Sequence, residues 1–175
     1  HGKLTLNKEG TFIVKAVTND GKVSDELSMA CVEQGNPPEK AEWKHLGDDY
    51  VMLQNKDVRV IFELSTGRYN VYEQTSGRPF VLGAYYQVNS DKSTDGYSFA
   101  AQEINEQQEG KTLRLTGSKE GKNDILLDIS LDDKSGNILL GAGINNTSAE
   151  GVKVMQMYPM AAKYQDCLLY TSPSP

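Results

Sequence analysis

Short runs rich in β-branched and aromatic residues, each closed by a glycine-bearing turn, recur along this chain, and no segment sustains the apolar period of about 3.6 residues that marks an amphipathic helix. That rhythm constrains the fold more than any other feature. Strands are expected over Tyr50 to Leu53, Val58 to Leu64, Tyr69 to Glu73, Phe80 to Val88, Lys111 to Ser118, Asp124 to Leu131 and Ile138 to Asn145. The separators are Ser65-Thr66-Gly67, Thr75-Ser76-Gly77, Lys119-Glu120-Gly121 and Asp132-Asp133-Lys134-Ser135-Gly136. Regular punctuation of this kind gives an all-β fold, an antiparallel sandwich of packed sheets. Val152 to Met160 alternates again and reads as a further strand, with Pro159 near its end, where a missing N–H costs least.

The first residues are organised differently. Phe12, Val14 and Ala16 alternate with Thr11, Ile13, Lys15 and Val17, a period of two that suits a half-buried strand. Asn19-Asp20-Gly21 supplies a tight turn, because its Asp-Gly pair tolerates positive φ, and Lys22 to Val32 returns as the partner strand. A hairpin alone is marginal in water, so residues 1–34 read as the closing strands of an otherwise incomplete module. Residues 35–42, with Pro37 and Pro38, read as a linker, and residues 43–166 as the sandwich domain. Residues 167–175 resemble the translation of a transposase sequencing adaptor, and the natural chain is expected to extend in both directions.

Composition removes several function classes. Eighteen basic residues are scattered among twenty-four acidic ones, for a net charge of −6. Nucleic-acid binding needs a clustered basic surface, so it is not expected. Nor does any apolar run approach the roughly 18 residues of a membrane helix. Of the two cysteines, Cys31 and Cys167, only Cys31 lies before the adaptor-like tail, and one thiol builds neither a disulfide framework nor a thiolate metal site. Cys31 is expected to act as a small buried hydrophobe in the stretch Leu27 to Val32.

Candidate chemistry is sparse. His1 and His45 are the only histidines, and no nucleophile motif accompanies His45. Asp132 to Asn137 clusters oxygens but lacks the alternating spacing of a calcium loop, so a solvated hairpin turn is expected and no metal site. Glycosidic bond cleavage requires paired carboxylates roughly 5–10 Å apart, and twenty-four acids offer too many pairs to single one out. Sugar recognition uses aromatic faces, for which Trp43, Tyr85, Tyr86 and Tyr97 are the candidates, although strand aromatics more often fill cores. Asn145-Asn146-Thr147-Ser148 contains overlapping glycosylation sequons whose plain reading is a polar turn.

The segment Leu4 to Thr18, followed by Asp20-Gly21-Lys22-Val23-Ser24, resembles the end of the fibronectin-III-like module of the chitobiase/β-hexosaminidase C-terminal type, with Phe12 where tyrosine is usual. Val58-Arg59-Val60-Ile61-Phe62-Glu63-Leu64-Ser65-Thr66-Gly67-Arg68-Tyr69-Asn70-Val71-Tyr72, then Gly83-Ala84-Tyr85-Tyr86-Gln87-Val88, resembles the N-terminal β-supersandwich of α-galactosidase and raffinose-synthase-like glycoside hydrolases. The resemblance implies an extracytoplasmic bacterial protein, carbohydrate as partner, no cofactor, and a catalytic (β/α)₈ barrel beyond Asp166 that would carry the acid and nucleophile. No catalytic residue is therefore assigned to this chain. The sandwich would brace that barrel and border its cleft. The alternatives are a carbohydrate-binding sandwich without catalysis and a structural cell-surface protein of serial sandwiches.

Overall fold

The computed structural model describes Lys8 and residues 10–17, 23–32, 36–104 and 109–162. All of its regular structure is antiparallel β. Strands β1 (Gly10–Val17) and β2 (Val23–Cys31) form a two-stranded sheet in which Gly10 pairs with Cys31 and Val14 with Leu27. The Asn19-Asp20-Gly21 turn expected between them lies outside the described residues.

A seven-stranded sheet follows, built from β3 (Glu42–Leu46), β4 (Tyr50–Gln54), β5 (Val58–Glu63), β6 (Arg68–Glu73), β7 (Pro79–Val88), the short β8 (Asp91–Lys92) and β13 (Met157–Ala161). Its order is β13-β7-β6-β5-β4-β3, with β8 hydrogen-bonded to β7. The remaining strands, β9 (Ser98–Ile104), β10 (Lys111–Ser118), β11 (Asp124–Leu131) and β12 (Ile138–Asn145), form a four-stranded sheet in the order β12-β11-β10-β9. Consecutive strands are neighbours nearly throughout, as short hairpin connections dictate.

The two large sheets pack face to face. Val51, Leu53, Val58, Val60, Phe62, Tyr69, Val71, Ala84, Tyr86 and Val88 come from one layer, and Leu113, Leu115, Ile125, Leu127, Ile129 and Leu131 from the other, in one continuous buried core. Strand β11 shows how the sequence produces this: in Asp-Ile-Leu-Leu-Asp-Ile-Ser-Leu the residues at 125, 127, 129 and 131 are buried and those between them are partly exposed. Sequence periodicity of two thus becomes a layer. On the far side of β11, Arg114 and Asp128 form a two-pronged ion pair, with Nε to Oδ1 and Nη2 to Oδ2 both at 2.7 Å.

Turn chemistry fixes how the layers meet. Asn55 is fully buried and uses its whole amide: Oδ1 accepts from the Asp57 and Val58 backbone N–H groups at 2.9 Å, and Nδ2 donates to the carbonyls of Asp132 and Ser135 at 2.8 and 2.9 Å. The β4–β5 turn is thereby tied to the β11–β12 turn. Asp132 accepts from the Ser135 hydroxyl and from the backbone N–H groups of Ser135 and Lys134, which holds its carboxyl below the usual range. Gly67, between β5 and β6, has φ of +67°, and a Cβ there would lie 2.2 Å from the Ser93 carbonyl oxygen. Only glycine permits that approach.

Several sequence expectations are corrected. Val152 to Met160 does not form one strand: β13 starts only at Met157, and the preceding residues wrap around Asn89. Asn89, at φ of +53°, accepts from Met155 N and donates to Lys153 O, so its side chain takes the backbone groups that a ladder would have used. Pro159 falls at the register shift between Tyr158 and Ala161, where no ladder bond is interrupted. Strands β3 and β9 were not expected. The first is an edge strand interrupted by Glu42, Lys44 and His45, and the second is alanine-rich with Gln102 and Glu103, so neither carries the usual β signature. Cys31, expected buried, is half-buried at the end of β2.

A cleft on the outer face of the large sheet

The outer face of the seven-stranded sheet carries a second, smaller apolar cluster of Leu46, Tyr50, Met52 and Ile61, against which Tyr72 and, from the hairpin, Ala30 and Val32 pack. The hairpin's Thr11 also lies against Gly47 in the β3–β4 turn. Strand β4 is consequently buried along its whole length, with Val51 and Leu53 in the inner core and Tyr50 and Met52 in the outer cluster. Covering both faces calls for the apolar run Tyr50 to Leu53, and buried Gln54 at its end is held by Glu42 and Gln74.

Where the outer cluster meets β6 and β7, a cleft of about 270 Å³ opens, lined by Ala30, Tyr50, Ile61, Glu63, Arg68, Asn70, Tyr72 and Gly83. Register explains the set. Tyr50 pairs with Glu63 and Glu63 with Arg68, while Ile61 pairs with Asn70, so these side chains occupy adjacent rows on one face. In β7 the ladder slips between Val81 and Ala84, opposite Val71 and Tyr69, and Gly83 sits in that bulge at φ of +66°. A bulge re-aims its neighbours, and the glycine leaves no side chain over the gap.

Each polar group in the cleft is anchored. Tyr50 Oη donates to Glu63 Oε1 at 3.1 Å, and Thr66 Oγ1 donates to Glu63 Oε2 at 2.6 Å. Arg68 Nη1 donates to the Gly83 carbonyl at 2.8 Å, and the Gly83 N–H donates to Asn70 Oδ1 at 2.7 Å. Burial raises the hydroxyl pKa of Tyr72, against smaller lowering contributions from the Asn70 amide and the Arg59 charge. That phenol is therefore neutral near pH 7, able both to donate and to accept.

The aromatic residues singled out from sequence are scattered instead of gathered. Trp43 is half-buried on β3, where Nε1 donates to Glu103 Oε2 at 2.7 Å and the ring packs against the inner core. Lys111 holds the other oxygen of that carboxylate at 2.7 Å, and the two bonds depress the Glu103 pKa. Tyr86 is wholly buried in the inner core, its hydroxyl donating to the Ile125 carbonyl at 3.1 Å and its ring set edge-on to Phe99, so no ligand face is presented. Tyr85, its neighbour, points to the opposite side of β7 and is 8 % exposed beside β13. Tyr97 is 4 % exposed, beneath Lys119 at 5.7 Å from its ring centre, and its hydroxyl has no hydrogen-bond partner among the described residues. Burial, then the charges of Asp91, Asp95 and Asp124, push its pKa up to about 12. Strands β3 and β7, which carry Trp43 and Tyr85, are four ladder steps apart, about 19 Å across the sheet.

Glu63, Arg68, Asn70 and Tyr72 were not expected as site residues. The alternation in Phe62-Glu63 and Arg68-Tyr69-Asn70-Val71-Tyr72 does assign them to the face opposite Phe62, Tyr69 and Val71, but a polar outer face usually signals only solvent. What marks the cleft is the Gly83 bulge, whose one local signal is an isolated glycine inside a strand pattern, and the hairpin lying over the face, which leaves none. Among the described residues no group of three or more His, Cys, Asp or Glu side chains is arranged to hold a metal ion, and no helix is long and apolar enough to cross a membrane.

The fold and its cleft define an antiparallel β-sandwich with a hairpin laid on its outer face. Comparison with known proteins finds no matching family model, no matching curated protein and no matching solved structure.

Proposed function

We propose that this sandwich is the non-catalytic β-domain of a secreted bacterial glycoside hydrolase of the α-galactosidase type, bracing a catalytic barrel and bordering its carbohydrate cleft. The identity of the enzyme rests on the resemblance carried by Val58 to Tyr72 and Gly83 to Val88. The observation that supports a bracing role is the surface around β13. Met155 is 78 % exposed and Val154 is exposed with it in the segment leading into β13, and Met157, Tyr158 and Met160 are exposed on β13 itself, which forms one edge of the seven-stranded sheet. Isolated proteins guard such edges with charge or cover, and contiguous exposed apolar side chains mark surfaces that another body covers. Methionine-rich surfaces adapt readily to a packing partner.

The test is to read the source DNA across the codon for Asp166 with a library free of the adaptor sequence. Alternating strand and helix units with aspartates at strand ends are expected. An early stop, or a further β module, would overturn the proposal and leave a carbohydrate-binding or structural sandwich.

A further inference from the structure

We propose that Met155, Met157 and Met160, in β13 and the segment leading into it, form a reversible oxidation site at which a hydroperoxide turns an apolar surface polar. Clustering and exposure single these residues out together. Three of the chain's five methionines fall between residues 155 and 160. They are 78, 40 and 46 % exposed, whereas Met52 in the outer cluster is 0 % exposed. Methionine is ordinarily among the most buried residue types, so this run places oxidisable sulfur where a dissolved oxidant reaches it.

The segment is held by groups that oxidation leaves alone. Asn89 Oδ1 accepts from Met155 N at 2.8 Å, Asn89 Nδ2 donates to Lys153 O at 3.0 Å, and Asn89 N donates to Gln156 O at 2.9 Å. The Tyr69 hydroxyl donates to the Pro159 carbonyl at 2.8 Å. Strand β13 then pairs with β7 through its main chain, with Met157 opposite Val88 and Tyr158 opposite Gln87. On the side of the segment, all of these contacts are made by backbone groups. An oxygen added at any of the three sulfurs leaves them in place.

The chemistry needs no further group from the protein. The thioether sulfur attacks one peroxide oxygen; an S–O bond forms as the O–O bond breaks, the sulfur gives up two electrons, and hydrogen peroxide is reduced to water. The product sulfoxide is polar and chiral, and it disrupts methionine-rich contacts. Reductases specific for each sulfoxide epimer reverse the step: a pair of thiols supplies two electrons and two protons, the oxygen leaves as water, and the thiols become a disulfide. Val154 and Tyr158 stay apolar throughout, so oxidation tunes the patch through its sulfurs alone.

The consequence for docking rests on the bracing role proposed above, and the two fail separately. A reading frame without a barrel leaves the oxidation site standing, and methionines that resist peroxide leave the barrel standing.

The experiment treats the full chain with dilute hydrogen peroxide and follows each methionine by peptide mass spectrometry, with retention on a hydrophobic-interaction column as the readout of the surface. Met155 should oxidise fastest, Met157 and Met160 next, and Met52, reached only by local opening, at least about tenfold more slowly. Oxidation should shorten retention, and the two reductases with dithiothreitol should restore it. The triple variant Met155→Leu, Met157→Leu, Met160→Leu keeps Met29, Met52 and Cys31, and its retention should not respond to peroxide. Should that variant fail to fold, Met155→Leu alone serves, with a smaller retention change than the native chain shows. Oxidation of Met52 at a matching rate, retention unmoved by oxidation, an equal response in the folded variant, or a change that the reductases fail to reverse would overturn the proposal.

Discussion

The inner face of the seven-stranded sheet is apolar from β4 through β7, and Val60, Phe62, Tyr69 and Val71 lock into a second sheet. Its outer face, built by the alternate residues of the same strands, sets Ile61 and Met52 among Glu63, Arg68, Asn70 and Tyr72 and is roofed in part by the hairpin. The inner face has a whole sheet as its partner and buries large side chains completely. Among the described residues, Ala30, Val32 and Thr11 of the hairpin lie against the outer face, and a cleft opens beside them. One set of strands thus builds a sealed face and an open one by the pleat alone.

The contrast is sharpest at neighbouring residues of β5. Phe62, 1 % exposed in the inner core, meets Phe99 edge-on at 5.1 Å. Phe62→Ala should cost about 3–5 kcal/mol, whereas Ile61→Ala, at 8 % exposure beside the cleft, should fall near the low end for its class, about 2 kcal/mol. Urea unfolding of both variants measures the difference, and equal losses would mean that the outer cluster is as tightly packed as the core. Asn55 is the polar link between the sheets, and Asn55→Ala should cost about 2–3 kcal/mol, since two backbone donors and two carbonyls lose their partner.

A smaller effect separates two inner-layer tyrosines. Tyr86→Phe removes a bond to the Ile125 carbonyl and should cost about 1 kcal/mol. Tyr97→Phe removes a buried hydroxyl that has no partner and should be neutral or slightly stabilising. Alkaline titration sharpens the comparison. The folded Tyr97 pKa is raised from 10.0 to about 12, so its contribution is complete below pH 10 and is lost between pH 10 and 12, where the unfolded chain releases a proton that the folded chain keeps. Tyr97→Phe should flatten that part of the stability profile. An unaltered slope would place the loss in other groups.

Much of the sandwich was legible in sequence. Strands β10, β11 and β12 match their expected bounds because glycine-bearing turns punctuate them and covered residues recur at about every second position, most regularly in β11. Edge strand β3 was not expected as a strand, because a strand with one neighbour tolerates Glu42, Lys44 and His45, which erase the pattern. The cleft was not legible. Its side chains come from β4, β5 and β6, and what creates it is a ladder slip at Gly83 and a hairpin distant in sequence. Tyr85 and Tyr86 were candidates for a ligand face or for the core alike, and their sequence could not say that Tyr86 would be roofed by a second sheet and Tyr85 covered beside β13.

The contrast between the faces is tested most directly by urea unfolding of Phe62→Ala and Glu63→Ala, substitutions at consecutive residues of β5. The account predicts a loss of about 3–5 kcal/mol for Phe62→Ala in the sealed core and of about 1–2 kcal/mol for Glu63→Ala, which releases two hydroxyls beside the open cleft. Equal losses in the two variants would contradict it.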